Sequence, residues 1–186
     1  SYDPDGAKKL LEESGWTDTD GDGYVDKDGQ KLSINWLTYP TRLEQPKLAE
    51  YAQATLKDIG IDVQVNNTPD HRTFAENGDF DVYVSSVTTA PTGDPEYFFT
   101  STVTGSKNYG NYQNEEVTKL TDQLHQTFDK DERGKLAIEL QQDILDDDAY
   151  FFVSHLNMGI VTKSNVKGMA AHPCDYYEIT AELDVE

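Results

Sequence analysis

The chain has 186 residues, 36% of them hydrophobic and 11% aromatic. A domain of that length buries roughly 70% of its extended surface and needs no disulfide support. Its 35 acidic and 15 basic residues leave a formal charge of -20, which repels phosphate backbones and anionic lipid surfaces and argues against nucleic-acid binding. No apolar run approaches the ~20 residues of a bilayer span, and the lone Cys174 excludes an internal disulfide or a cysteine-ligated zinc.

The first element is a helix opened by Tyr2-Asp3-Pro4. Asp3 is the cap, Pro4 takes the first helical position, Ala7, Leu10 and Leu11 form the apolar stripe, and Gly15 ends it. A helix with nothing ahead of it to pack against reads as a domain cut from a longer chain. No cationic and apolar leader precedes Ser1, which leaves either a cytoplasmic protein or a mature or excised piece, and the opening helix favours the excised piece. Residues 18–29 form a loop by their Asp and Gly content. A strand over 32–37 follows, then a helix over 45–59 with Leu48, Tyr51, Ala52, Thr55, Leu56 and Ile59 at helical spacing, stopped by Gly60. Ile61, Val63 and Val65 alternate with polar residues as a second strand. Strand, helix and strand with short connections define a βαβ unit with parallel strands.

Residues 80–85 read as another strand, leading into a loop over 86–95 rich in Thr, Gly and Pro. Ligands of open α/β sheets lie beyond the carboxyl ends of strands, so this is the best-placed binding loop, with an ordinary connection as the plain alternative. Tyr97, Phe98 and Phe99 follow and are expected to anchor the loop in the core. Two helices come next, one presenting Val117, Leu120, Thr121, Leu124 and Phe128, the other Leu136, Leu140 and Ile144, with Asp129 and Glu132 as a capping box between them. The apolar runs 150–153 and 158–161 read as buried strands.

One loop carries metal-ligand spacing. Asp18, Asp20 and Asp22 fill the first, third and fifth positions of an EF-hand-like calcium loop, Gly23 supplies the sharp turn, Tyr24 offers a carbonyl and Asp26 can hold a ligand water. Gly29 stands where the bidentate acid belongs, so Asx-type turns without metal are the competing reading. His71, His125, His155 and His172 show no zinc-ligand spacing and read as surface or packed residues. No nucleophile elbow, phosphate-binding loop or dinucleotide fingerprint is present, which makes an enzyme the weaker class of reading.

Taken together, these residues resemble the carboxyl-terminal lobe of the peptide/nickel-type (family 5) extracellular solute-binding proteins of ATP-driven importers. The resemblance is carried by Tyr2-Asp3-Pro4, Ala7, Leu10-Leu11, Gly15-Trp16 and the Asp18-Thr19-Asp20-Gly21-Asp22-Gly23 run. It continues through Asp79-Phe80-Asp81-Val82, Gly93-Asp94-Pro95 with Phe98-Phe99, the stretch from Asn111 to Val117, and residues 144–153. It implies an α/β, periplasmic-binding-protein-like (type II) lobe with a mixed sheet flanked by helices. Residues 1–186 would be that single lobe, and 168–186 a tail returning toward a missing amino-terminal lobe.

The family's ligand-facing segment matches Thr88, Thr89, Ala90, Pro91, Thr92, Gly93 and Asp94. Pro91 stands where dipeptide-type members carry an aspartate for the ligand's amino group. Thr88, Gly93 and Ser106 stand where nickel-type members carry an aromatic pair and a histidine. The expected function is oligopeptide capture outside the membrane, as a cell-surface lipoprotein or periplasmic protein, and delivery to an ABC permease without covalent chemistry or a required cofactor. Nickel or another metal chelate is the alternative cargo. A calcium-braced adhesion or scaffold module is the reading from a different class.

Overall fold

The computed structural model describes residues 2–157, 159–171 and 179–186. Ser1, His172 and Cys174, named above, and the first residue of the run 158–161 lie outside them. The chain divides into two compact units, residues 1–86 and 87–186.

The first unit opens with helix α1, Pro4–Glu13, capped by the Asp3 carboxylate, which accepts from Gly6 N at 2.9 Å. Its end is closed by Gly15 N donating to Glu12 O and Trp16 N to Leu11 O, both 2.9 Å. That crossing pair needs a left-handed residue, and Gly15 supplies it at φ 83° without a Cβ penalty. The expected stripe is shallow: Ala7 and Leu11 are half-buried and Leu10 is exposed. Strands β1, Asp26–Lys27, and β2, Gln30–Lys31, pair antiparallel. Part of the expected loop is therefore a hairpin, turned by Asp28 and Gly29, both at positive φ, as a two-residue primed turn requires.

The βαβ unit forms as the alternation predicts. Strand β3, Ser33–Thr38, runs into helix α2, Glu44–Lys57, and returns as β4, Asp62–Asn67, parallel to β3 with Ile34 opposite Val63 and Trp36 opposite Val65. The helix is turned slightly from the expected stripe, so Gln45 and Ala49 are buried while Tyr51 faces solvent. A short helix α3, His71–Asn77, not anticipated, leads to β5, which pairs only at Val82–Tyr83. Strand order is β4-β3-β5, wholly parallel, with Leu37, Ala49, Val63 and Ala75 in the core.

The second unit is helical at its centre. Helix α4, Glu96–Phe98, runs into a π-helical turn, Phe99–Val103, followed by α5, Glu115–Gln126, and α6, Lys130–Asp146. Asn114 caps α5 and Asp129 caps α6 through side-chain oxygens. The capping box is half made: Glu132 pairs with Lys135 at 2.7 Å. Phe98, Phe99, Val117, Leu124, Leu140 and Ile144 form the core, as the two apolar faces and the aromatic anchor imply.

Phe128 is a correction, being 93% exposed: α5 stops at Gln126 and Thr127 is extended, which takes Phe128 off the helix face. The runs 150–153 and 159–161 are also corrected. They form no strand, and Phe151 and Val161 are exposed. Apolar content alone does not make a strand, which also needs a ladder partner. Strands β6, Val166–Lys167, and β7, Asp184–Val185, close the unit as an antiparallel ribbon.

Candidate functional site

Residues 88–94 leave the β5 side of the chain as a surface loop in the second unit. Thr89, Thr92 and Gly93 are exposed, Thr88, Ala90 and Asp94 half-buried, and Pro91 is buried. The turn closes where Gly93 N donates to Ala90 O at 3.0 Å. The loop thus presents the Thr92 hydroxyl and backbone groups between two anchors, the buried Pro91 ring and Asp94.

Asp94 is fixed by Arg133 of α6. Arg133 Nε donates to Asp94 Oδ2 at 2.9 Å and Nη2 to Oδ1 at 2.6 Å, while Nη2 also donates to Glu96 Oε2 at 2.8 Å. Arg133 Nη1 donates to the carbonyls of Leu124 and Thr127, both 2.6 Å. His125 Nδ1 lies 2.6 Å from Glu96 Oε1. Arg133 holds the Asp94 carboxyl below its usual range, and Arg133, then His125, do the same for Glu96, because bonds to the ionised form favour it. A depression of about 680 Å³ beside this network is lined by Asp94, Glu96, His125, Phe128, Lys130 and Arg133. Ser106 is exposed.

A second polar cluster, absent from the sequence reading, lies in the first unit. With β3 between β4 and β5, successive strands are laid down on opposite sides of β3, so its carboxyl end is a topological switch point, where such sheets bind ligands. There Tyr39 stacks on His71 with centroids 4.1 Å apart, and His71 Nδ1 lies 2.6 Å from Tyr83 Oη. Ser86 N donates to Tyr39 Oη at 3.1 Å, and Gln45 Nε2 to Ser86 Oγ at 2.9 Å. Burial, then Arg72, pushes the His71 pKa below its ordinary value, which favours the neutral ring. The alternation of β3 and β5 was the available signal; α3, which delivers His71, had none.

The Asp-rich loop brings the carboxylates of its first, third and fifth expected positions together. Oxygens of Asp18, Asp20 and Asp22 lie within 4.8 Å of one another. All three also accept backbone N–H bonds: Asp18 from Gly21 (2.7 Å) and Gly23 (3.0 Å), Asp20 from Asp22 (3.1 Å), and Asp22 from Tyr24 (2.9 Å). Lys31 Nζ pairs with Asp22 Oδ2, and its bond holds the Asp22 carboxyl below the usual range. The Asp26 carboxylate turns to Thr19, accepting from its N and Oγ1 at 2.9 and 2.6 Å.

The family model for bacterial extracellular solute-binding proteins, family 5 Middle, matches residues 1–110. The oligopeptide-binding protein AppA of Bacillus subtilis is 32% identical over 185 residues, covering 96% of this chain and 34% of that protein. The nickel-binding protein NikA of Staphylococcus aureus is 27% identical, covering 89% and 34%. Among solved structures, AppA from Bacillus subtilis in complex with a nonapeptide superposes with a TM-score of 0.80 at 30% identity, covering 93% of this chain and 35% of that one. A nickel ABC transporter structure from Bacillus halodurans gives 0.67 at 33% identity, covering 80% and 32%.

A type II periplasmic-binding-protein-like α/β chain with this match belongs to the family 5 bacterial extracellular solute-binding proteins. It spans about a third of the length of the relatives it matches. No helix among the described residues is long and apolar enough to cross a membrane.

Proposed function

We propose that this chain is the carboxyl-terminal ligand-binding lobe of a two-lobed protein that captures oligopeptides outside the membrane and delivers them to an ABC permease. The observation that carries the reading is the 32% identity to an oligopeptide-binding protein across nearly the whole chain. Capture works by hinge closure of two lobes on the ligand, with closed and open states separated by the contacts the ligand makes to both. The chemistry is binding without covalent conversion.

In this reading residues 88–94 meet the ligand. Thr88, Thr89 and Thr92 offer hydroxyls that donate and accept, which suits a peptide backbone of any sequence. A metal chelate is the second reading, favoured by the match to NikA. The protein is exported, as a cell-surface lipoprotein or into a periplasm, and its partners are the amino-terminal lobe and the permease.

Native mass spectrometry of the full-length protein, purified without chelator, tests the cargo. Adducts of peptide mass are expected, and denaturation should release them. A metal with a small chelator in their place would overturn the peptide reading in favour of the chelate.

Calcium at Asp18, Asp20 and Asp22 is an accessory proposal, supported by the convergence of their oxygens. It predicts a melting temperature several degrees higher in excess calcium than in chelator, since ligand binding to the folded state alone stabilises it by about 2.7 kcal/mol at a hundredfold excess over Kd. An equal melting temperature in both would leave the loop to its Asx turns and Lys31.

A further inference from the structure

Arg133 uses all five guanidinium N–H groups: one from Nε and one from Nη2 on Asp94, one from Nη2 on Glu96, and two from Nη1 on the Leu124 and Thr127 carbonyls. It is one of three arginines in the chain, and its side chain is only 15% exposed. One residue of α6 therefore ties together the end of the 88–94 loop, the start of α4 and the carboxyl end of α5.

We propose that Arg133 is a positioning residue for ligand capture, holding Asp94 so that Thr92 and Gly93 are presented in one conformation between the Asp94 clasp and the buried Pro91. The proposal rests on the assignment of residues 88–94 as the ligand-facing loop. Only a guanidinium fits this place. Its planar fork matches the Asp94 carboxylate with two parallel bonds and has donors left over for three further oxygens on other elements. A lysine concentrates three donors on one nitrogen and cannot span these partners. Pre-organisation of this kind raises affinity by removing the cost of ordering the loop when the ligand arrives. Asp94 itself is thereby a latch: both of its carboxylate oxygens are held by Arg133, and Oδ1 also accepts from Glu96 N at 2.9 Å.

Two readouts on the full-length protein test this with Arg133→Lys and Asp94→Asn. The first is hydrogen exchange at Gly93 N and Glu96 N, the amides closed onto Ala90 O and Asp94 Oδ1. Exchange there should quicken about tenfold or more in both variants while the Leu140 amide in the middle of α6 keeps its wild-type rate. The second is affinity for a fluorescein-labelled pool of random nonapeptides, which should weaken about tenfold.

Unchanged exchange at both amides would overturn the clasp. An equal rise throughout α5 and α6 would make Arg133 a general stabiliser of the fold and overturn it too. Faster loop exchange with wild-type affinity would overturn the link to the ligand. If the wild-type protein does not bind the pool, the peptide reading fails, and the exchange data still decide whether Arg133 orders the loop.

Discussion

Phe99→Ala is expected to lower the stability of the helical unit by ~3–5 kcal/mol, a large share of the 5–15 kcal/mol typical of whole domains. Phe99 is 2% exposed and, among the described residues, is the largest of the fully enclosed side chains. It meets Phe98 edge-on with centroids 5.7 Å apart and belongs to one cluster with Val117, Leu124, Leu140 and Ile144. Alanine there removes the apolar transfer energy and leaves a void that α5 and α6 can close only in part. Both tryptophans, Trp16 and Trp36, lie in residues 1–86, whereas α5 and α6 carry most of the helix of the second unit. In urea the helical circular dichroism, to which α1, α2 and α3 of the first unit also contribute, should gain an earlier phase of loss from α5 and α6, while the midpoint by tryptophan fluorescence moves much less. A dichroism shift worth less than about 1 kcal/mol would mean that Phe99 is not packed as described.

The elements that were legible in the sequence carry their signal locally. Asp3-Pro4 and Gly15 bound α1 because a cap and a left-handed residue act within one turn. The parallel βαβ unit followed from alternation at Ile61, Val63 and Val65 and helical spacing in α2. What failed depends on partners distant in the chain. The run at Phe151 reads as a strand by composition but has no ladder in this structure. Phe128 fits the α5 period, yet the helix ends two residues earlier. Helix α3 spans only seven residues and shows no apolar period of its own.

The candidate site divides the same way. Residues 88–94 could be singled out because a strand signal precedes them, and their likeness to the family's ligand-facing segment reinforced the choice. Arg133 could not, since it stands 39 positions from Asp94 and nine from Leu124, and only the packing of α6 brings these groups together. Asp22 divides in the same manner. Its place in a metal-ligand spacing was legible, but the lysine that pairs with it arrives through the β1-β2 hairpin, whose Asp28-Gly29 turn was read only as loop.

Gly105→Ala is expected to destabilise the second unit by on the order of 2 kcal/mol and to loosen the base of the 88–94 loop. The reason is space. A Cβ at Gly105 would lie 2.0 Å from the Thr100 carbonyl oxygen and 3.0 Å from that of Ser101, both backbone atoms that no side-chain rotation can clear. The clash opens the π-helical turn, where Thr104 N donates to Phe99 O at 2.9 Å and Lys107 N to Ser101 O at 2.9 Å.

That turn sets Phe99 and Val103 into the core and holds the Thr102 carbonyl that accepts from Tyr150 Oη at 2.9 Å. It continues α4 without a break, and α4 starts at Glu96 on the Arg133 guanidinium. Strain at Gly105 therefore reaches the clasp through two turns of continuous helix. Hydrogen exchange should speed up at Thr104 first and at Glu96 next, with the urea midpoint of the helical signal lowered. Wild-type exchange at Thr104 together with an unshifted midpoint would show that the turn has room for a methyl group, and with it that the π-helical geometry does not set the position of α4.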